Sequence, residues 1–523
     1  MTNYNEDYQY NSCTSRGICS VNPRTSSLQE ILVLYLCLAS YYAAQTIKEG
    51  EANKKIRNLI LNTISIMVSN PEFSENDFEA IVNGFNSEIP KLIDEYKEIC
   101  RKNGSETNFL ETPINFDKPA DIIQSIRLGQ KEYLKKTQKL NENMRDLLRI
   151  VFVLAKSICI NILDLESFGI EKGYDTILNI LNTLNKEHTE EELKQIIINA
   201  TKSDNELMKL LFKAKTQKYG VPRPKVVSYS TEKGKAILVV GSNIRELEII
   251  LEEFKNDDVS IYTHDEMILA HTYPKFEEYK NLKGQFGQGM ENCLLDFATF
   301  PGPIILTRHS LYNVEHFYRG RLYTTDFAYS KGVIPIVNYD FSELRKSLDS
   351  TRGFKTGKSC ESATVGFDYE ETIRLIEEKI KSGNFSEIFV IGLNGYTKED
   401  REYFENFLKL VPENVLVVSL SVCPGRDNVI CLNACFDSFG MVKLSEAILE
   451  KYELKTTLFF PKCDRHTISK MIYLSSLKKA EIFVGKCTPI TLNPNLIITI
   501  TKFFGIKELT TPKKDLDMIL SKK

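Results

Sequence analysis

Residues 236–266 read AILVVGSNIRELEIILEEFKNDDVSIYTHDE. Five apolar, mostly β-branched or leucine residues (236–240) end at a glycine. A stretch with apolar residues at helical spacing (245–254) follows, then a polar turn and a second β-branched run (259–263). A short apolar run bounded by turn residues reads as a buried strand, and a strand–helix–strand order reads as a parallel crossover unit. The stretch therefore predicts strand Ala236–Val240, helix Arg245–Phe254 and strand Val259–Thr263. It places this part of the chain in the doubly wound α/β class, where helices cover both faces of a parallel sheet.

Downstream, strands are expected at Ile304–Thr307 and Val333–Val337. A second alternating block carries helix Tyr369–Lys381, strand Ile388–Ile391, helix Lys398–Leu410 and strand Val415–Leu420. It continues with strand Thr457–Phe460, helix Ser469–Lys479, strand Ile482–Val484 and helix Asn495–Phe504. Upstream, the character changes near residue 220. Leu28–Ile47, Lys54–Val68, Asp77–Cys100, Ala120–Leu140, Met144–Leu163, Tyr174–Leu184 and Glu190–Lys215 carry helical periodicity. Ser27 with Glu30 reads as a capping box, and Thr189 with Glu191 and Glu192 as a second helix start. Gly220–Pro224 stops the last helix and reads as a linker. The expected architecture is a helical bundle domain over 1–221, a first Rossmann-like α/β domain over 222–366 and a second over 367–523.

At 523 residues the chain is too long for one ordinary domain. Lys plus Arg number 67 and Asp plus Glu 70, a net charge of −3, which argues against a dedicated nucleic-acid binder. The longest apolar stretch, Ile31 to Ala44, is shorter than the ~20 residues a bilayer needs and reads as a core helix. The polar, acidic start MTNYNEDYQY lacks the features of a secretory signal, so the expected location is cytoplasmic, with no membrane partner. Twelve cysteines contain no C-x-x-C pair, which excludes zinc-ribbon and simple ferredoxin sites. Five of them crowd between Cys423 and Cys487 and raise a metal question.

In a doubly wound sheet, ligands sit beyond the carboxyl ends of the strands. That rule singles out the loop after Thr263, where His264, Glu266 and His271 are metal-ligand types in a short span. A histidine capping a strand end is the plainer reading of each taken alone. The glycines of 284–289 follow no expected strand, and GFKTGKS at 353–359 spaces its glycines one residue short of a nucleotide-binding P-loop. Arg308-His309-Ser310 ends a strand without the G-x-S-x-G elbow of a hydrolase.

Taken together, several segments resemble the hybrid cluster protein family, also called prismane or hydroxylamine reductase. They are YTHDEMILAHTYPKFEEYKNLKGQFGQG (262–289), FPGPIILTRHSL (300–311) and GRLYTTD (320–326). IFVIGLNGY (388–396), Arg401–Phe404, VGKCTPITLNPNLIITITKFFGI (484–506) and CTSRGIC (13–19) followed by LQEILVLYL also match. The resemblance implies a helical domain plus two α/β domains. It also implies an N-terminal iron–sulfur cluster on four Cys, and a hybrid Fe–S–O cluster held by one His, two Glu and four Cys. Thiolates suit the sulfide-bridged irons, and imidazole and carboxylate the oxygen-bridged ones.

Carried over residue by residue, the resemblance matches Cys13 and Cys19 to the last two N-terminal cluster cysteines, while the first two fall near Met1 and Tyr4. At the hybrid-cluster positions Glu266, Cys423, Cys435 and Asp464 are retained or related. Ser242 stands for the family's His, Ser310 for its first Cys and Asn394 for its persulfide Cys. His466 takes the place of a lysine that the resemblance makes a proton donor, and is the candidate catalytic residue. Neither Ser nor Asn replaces thiolate on iron. Three readings stay open. The first is a degenerate family member, a pseudoenzyme without the cluster, serving a binding, structural or regulatory role through a protein partner. The second is a remodelled metal site on Glu266, Cys423, Cys435, Asp464 and His466. The third is an active hydroxylamine or nitric oxide reductase, an oxidoreductase whose chemistry would belong to the cofactor.

Overall fold

The computed structural model describes residues 23–47, 53–69, 74–102, 104, 116–287, 292–310, 318, 320–327, 329–392, 398–432, 438–461, 465–485 and 495–521. The chain divides into two compact units. One is Met1–Leu211 with Leu311–Arg319 and Asp326–Val333. The other is Phe212–Ser310 with Gly320–Thr325 and Ile334–Lys523.

The first unit is helical: α1 (Pro23–Ile47), α2 (Lys54–Ser69), α3 (Glu75–Lys102), α4 (Ile122–Lys139), α5 (Glu142–Ser167), α6 (Tyr174–Thr183) and the greater part of α7 (Glu190–Tyr219). In α1, Leu28, Ile31, Leu32, Tyr35, Leu36 and Ala39 are buried at helical spacing, and Tyr35 stacks on Phe85 at 5.5 Å. By length and composition α1 is apolar enough to cross a membrane, but 61% of that window is buried inside the protein, as a core helix would be. The helix starts at Pro23, so Ser27 lies inside it and is buried rather than capping it. Proline in the first turn starts a helix without a cap hydroxyl, because its missing N–H would be unpaired there anyway. Gly129 of α4 lets the two helices touch, since a Cβ there would stand 2.0 Å from the Ser27 carbonyl oxygen. The expected start at Thr189 is seen as a reciprocal cap. The Thr189 N–H donates to Glu192 at 2.8 Å, and the Glu192 N–H to the Thr189 hydroxyl at 3.3 Å.

Helix α7 ends at Tyr219, where Gly220 takes a positive φ and two prolines follow. Beyond it, β1 (Lys225–Ser228) and β8 (Ser362–Val365) form an antiparallel pair. The first six-stranded sheet contains β2 (Lys235–Val240), β3 (Val259–His264), β4 (Leu282–Gln285), β5 (Ile304–Leu306), β6 (Leu322–Thr324) and β7 (Ile334–Pro335). Its order is β4-β3-β2-β5-β6-β7, all parallel. Helices α8 (Ile244–Glu253), α9 (Cys293–Thr299) and α10 (Ser342–Ser350) accompany it.

The second sheet contains β9 (Glu387–Ile391), β10 (Val415–Ser419), β11 (Val429–Cys431), β12 (Lys455–Phe460), β13 (Ala480–Val484) and β14 (Lys507–Glu508). Its order is β11-β10-β9-β12-β13-β14, again all parallel. Helices α11 (Tyr369–Ser382), α12 (Lys398–Leu410), α13 (Ser438–Lys451), α14 (Arg465–Ser476), α15 (Asn495–Phe504) and α16 (Pro512–Leu520) belong to this half. Both sheets share one order, with the first strand central and the direction of winding reversing between strands one and four. That reversal opens a crevice at the carboxyl ends of the two strands. The central strands β2, β9 and β10 are buried almost throughout, which is why they read as unbroken apolar runs.

Several elements had no sequence expectation: β1, β4, β6, β8, β11, β14 and helices α9, α10, α13 and α16. The strands among them are two to four residues long, too short for a periodic signal. Helix α13 carries Gly440 in its first turn, a residue that weakens a helical pattern.

Candidate functional site

The first crevice lies between the ends of β2 and β5. Gly241 follows β2 with φ +119, and a Cβ there would stand 1.9 Å from Ser310 Oγ and 2.3 Å from Thr307 Oγ1. Only glycine fits both the backbone and the space. The Thr307 hydroxyl donates to the Val240 carbonyl at 2.8 Å and shares a hydrogen bond with the Ser310 hydroxyl at 3.2 Å. Ser310 is 5% exposed. The resemblance sets a cluster thiolate at this position, and here the hydroxyl is part of the packing under Gly241. Ser242, which the resemblance sets in place of the family's histidine, is exposed.

Asn243 caps α8, its side-chain oxygen accepting from the Arg245 N–H at 3.1 Å and the Glu246 N–H at 3.2 Å. An open helix N-terminus at this place would bind an anion, as in dinucleotide sites. Here two of its amides are already taken. Glu246, 2% exposed, reaches across the crevice and accepts from the Arg308 N–H at 2.9 Å and the Thr325 hydroxyl at 2.7 Å. The Arg308 guanidinium lies 3.8 Å from its other oxygen, and the Tyr339 hydroxyl donates to it at 3.4 Å. Burial, then the Glu246 charge, push the Tyr339 phenol up to about 12. Glu246 thus fixes the turn 307–310, in which His309 holds a left-handed φ of +66.

At the end of β3, His264 is fully buried, and its Nε2 faces an Asp296 oxygen at 3.0 Å. Its Nδ1 has no hydrogen-bond partner among the described residues. Asp265 takes a left-handed φ of +58, and the chain turns there to bring up the half-buried Glu266. His271 bonds the Thr263 hydroxyl at 3.0 Å, and burial, helped by Lys225, holds its imidazole down to about 4. The three metal-ligand types seen in the sequence are therefore divided. His264 pairs with Asp296 and His271 with Thr263, and among the described residues no group of three such side chains forms.

In the second sheet, the Ser419 hydroxyl at the end of β10 accepts from the Val422 N–H at 3.1 Å and turns the chain toward Cys423. Cys423 is exposed; Cys431, the last residue of β11, is the ladder partner of Ser419 and has Cys423 for a neighbour. Burial first, then that neighbour, push the Cys431 thiol up to about 12. Nothing in the sequence spacing shows that β11 would make Cys431 a neighbour of Cys423. Cys13, Cys19, Asn394, Cys435 and Asp464 lie outside the described residues. So does the side chain of His466, whose backbone lies in the first turn of α14.

Among the described residues no three His, Cys, Asp or Glu side chains gather in a metal-holding arrangement. On the residue-by-residue resemblance, a hybrid cluster would ask for imidazole at 242 and thiolate at 310. The described residues offer an exposed hydroxyl and a buried, hydrogen-bonded one. Oxygen donors of that kind do not fit a thiolate-and-imidazole set.

A model of the Prismane/CO dehydrogenase family matches residues 8–424. Curated relatives match end to end. A hydroxylamine reductase of Thermodesulfovibrio yellowstonii is 27% identical over 98% of each chain. Those of Methanocella arvoryzae and Maridesulfovibrio salexigens are 24% and 23% identical, each over 97% of both chains. Among solved structures, the α subunit of an acetyl-CoA synthase/carbon monoxide dehydrogenase, described with NiZn[Fe4S4] and NiNi[Fe4S4] clusters, aligns at TM-score 0.47. It covers 97% of this chain and 83% of that one at 13% identity, a likeness too slight to carry an argument. The resemblance seen in the sequence and the family match over residues 8–424 agree, and this chain belongs to the Prismane/CO dehydrogenase family.

Proposed function

We propose that this chain is a degenerate member of the hydroxylamine reductase line, without the usual Fe–S–O cluster and without most of its redox activity. It serves a binding, structural or regulatory role in the cytoplasm through a protein partner. The observation that carries the reading is Ser310. Its hydroxyl stands in place of a thiolate, is 5% exposed, and is held in a hydrogen bond to Thr307 beneath Gly241. A serine binds iron well only as the alkoxide, and here the hydroxyl is engaged with a second hydroxyl.

Iron and acid-labile sulfide per chain, measured on protein purified without oxygen and read beside its visible spectrum, test the proposal. Folded protein with neither is the expected result. About four or more irons with matching sulfide overturn it, and turnover of hydroxylamine with a dye electron donor does so independently. A second reading is a remodelled iron or iron–sulfur site, and it has its own support. Glu266 and Cys423 persist at ligand positions, and relatives named hydroxylamine reductase span 97–98% of the chain. It requires about one metal per chain, lost in Cys423→Ala or Cys435→Ala.

A further inference from the structure

We propose that the paired segments 231–235 and 352–359 form a docking surface for a protein partner that presents a carboxylate-rich segment. The inference deepens the reading above, on which it rests for the partner being a protein, and names the surface and the chemistry it takes. The two segments read TEKGK and RGFKTGKS. Lys233, Arg352, Lys355 and Lys358 are exposed, and among the described residues none of the four has a carboxylate partner. Of the carboxylates nearest in the chain, Glu232 pairs with Lys283 at 3.0 Å and Asp349 with Lys235 at 3.0 Å, while Glu361 follows three residues after the last cation. The whole chain carries a net charge of −3, so this is a local excess of positive charge rather than a general basic character.

The two segments make a fixed frame. Thr231 and Lys358 exchange backbone hydrogen bonds at 2.9 and 3.0 Å, and Gly234 and Phe354 do so at 3.1 and 2.8 Å. The Cys360 N–H donates to the Ser230 hydroxyl at 3.0 Å, and the Glu232 N–H to the Tyr262 hydroxyl at 2.8 Å. Gly353 holds φ +65, and a Cβ there would stand 1.9 Å from the Gly234 carbonyl oxygen, so the close approach of the segments requires glycine. Phe354 pins the frame from within, its ring centroid 5.8 Å from that of Tyr262, 5.6 Å from Phe300 and 6.0 Å from Phe286. Cations on a backbone ordered before the encounter lose less entropy when a partner arrives.

Other anionic surfaces fit this frame less well. Single-stranded nucleic acid is held by basic grooves with exposed rings on which bases stack. The one aromatic residue of these segments, Phe354, is instead packed against Tyr262, Phe286 and Phe300. A membrane surface takes up apolar side chains beside the charges, and none of the large exposed apolar side chains among the described residues falls in either segment. An acidic protein segment needs neither feature. Spaced, exposed cations meet its carboxylates, steer the encounter and make it salt-dependent.

The test uses the full-length protein, with iron and sulfide measured first, and a fluorescein-labelled octaglutamate peptide as the probe. Binding is followed by fluorescence anisotropy from about 50 mM salt, where exposed charges are least screened, to about 0.3 M. Saturable binding that weakens with salt is the expected result. Each exposed charge pair is a small contribution, and Lys233→Gln, Lys355→Gln and Lys358→Gln combined should weaken binding about tenfold. Arginine at the same three positions should retain it. Lys409→Gln, Lys513→Gln and Lys514→Gln combined remove equal charge from exposed positions elsewhere and should leave binding within about twofold of the native chain. Equal weakening by the two triple variants, no saturable binding of octaglutamate, or tighter binding of octauridylate RNA or of vesicles containing phosphatidylserine overturns this inference alone. Iron with matching sulfide overturns the cluster-loss reading, while the peptide titration decides this surface by itself, so the two failures are told apart.

Discussion

Replacing Gly241 by alanine tests the claim that the first crevice is floored by a close contact between β2 and the turn after β5. Two costs add. A side chain at φ +119 pays a backbone strain of about 1–3 kcal/mol. The new methyl would stand 1.9 Å from Ser310 Oγ, 2.3 Å from Thr307 Oγ1 and 2.9 Å from Ser310 Cβ, and forcing such neighbours apart costs about 1–3 kcal/mol more. The total expected is about 2–6 kcal/mol. Because the chain has two compact units, a single global unfolding free energy is not well defined. Amide hydrogen exchange of the peptide covering 236–241 reads the local opening instead. At tenfold per ~1.4 kcal/mol, exchange should quicken between about 30-fold and about 20,000-fold.

A second substitution separates the contact from the strain. Ser310→Gly removes two of the three close atoms but leaves Thr307 and the φ penalty. In a double-mutant cycle it should return about 1–2 kcal/mol of the alanine cost, a slowing of roughly 5- to 30-fold relative to Gly241→Ala alone. Exchange within threefold of the native protein in Gly241→Ala, or a coupling below about 0.5 kcal/mol, refutes the reasoning. Ser310 would then not be the residue closing this floor.

Asn243→Ala removes the cap of α8 and should cost about 1 kcal/mol, read as faster exchange over the first turn of that helix. Glu246→Gln weakens the charge-assisted bonds to the Arg308 N–H and the Thr325 hydroxyl by about 1.5–3 kcal/mol in all. Trypsin should then cut after Arg308 faster than in the native chain, and an unchanged rate counts against Glu246 as the anchor of that turn. His271 has a folded pKa below its ordinary value, so between pH 6.5 and about 4 the unfolded chain takes a proton that the native chain refuses. Its contribution is present above pH 6.5 and lost as pH falls through that window, by at most ~3 kcal/mol. The urea midpoint of His271→Asn should therefore fall less steeply than the native one over the same range, and parallel curves reject the assignment.

How much of this was legible before the structure depended on length and repetition of signal. Runs such as AILVV (236–240) and VLVVS (415–419) announce buried parallel strands because they are apolar on both faces. The Thr189 cap was legible because its partner lies three residues away. The Ser27 box, equally well spaced, was wrong, because Pro23 starts α1 four residues earlier and tertiary packing buries the serine. The two-to-four-residue strands β4, β6, β11 and β14 exist because a longer neighbour offers them hydrogen bonds, which no local pattern records.

Read alone, the order of amino acids was enough for the order of elements, a helical region before two parallel-sheet halves, and for the family. Those features rest on periodicity and on motifs of contiguous residues, which need no knowledge of what packs against them. By resemblance it also led to the expectation that hydroxyl and amide side chains stand at three of the family's ligand positions, Ser242, Ser310 and Asn394. What the described residues do with that chemistry came from the three-dimensional packing. It set Ser310 against Gly241 across 69 residues of chain, gave Glu246 the turn at Arg308 62 residues away, and brought Cys431 to Cys423. Contacts of that kind come from strand order, and strand order is settled by the packing of whole sheets rather than by any segment taken singly.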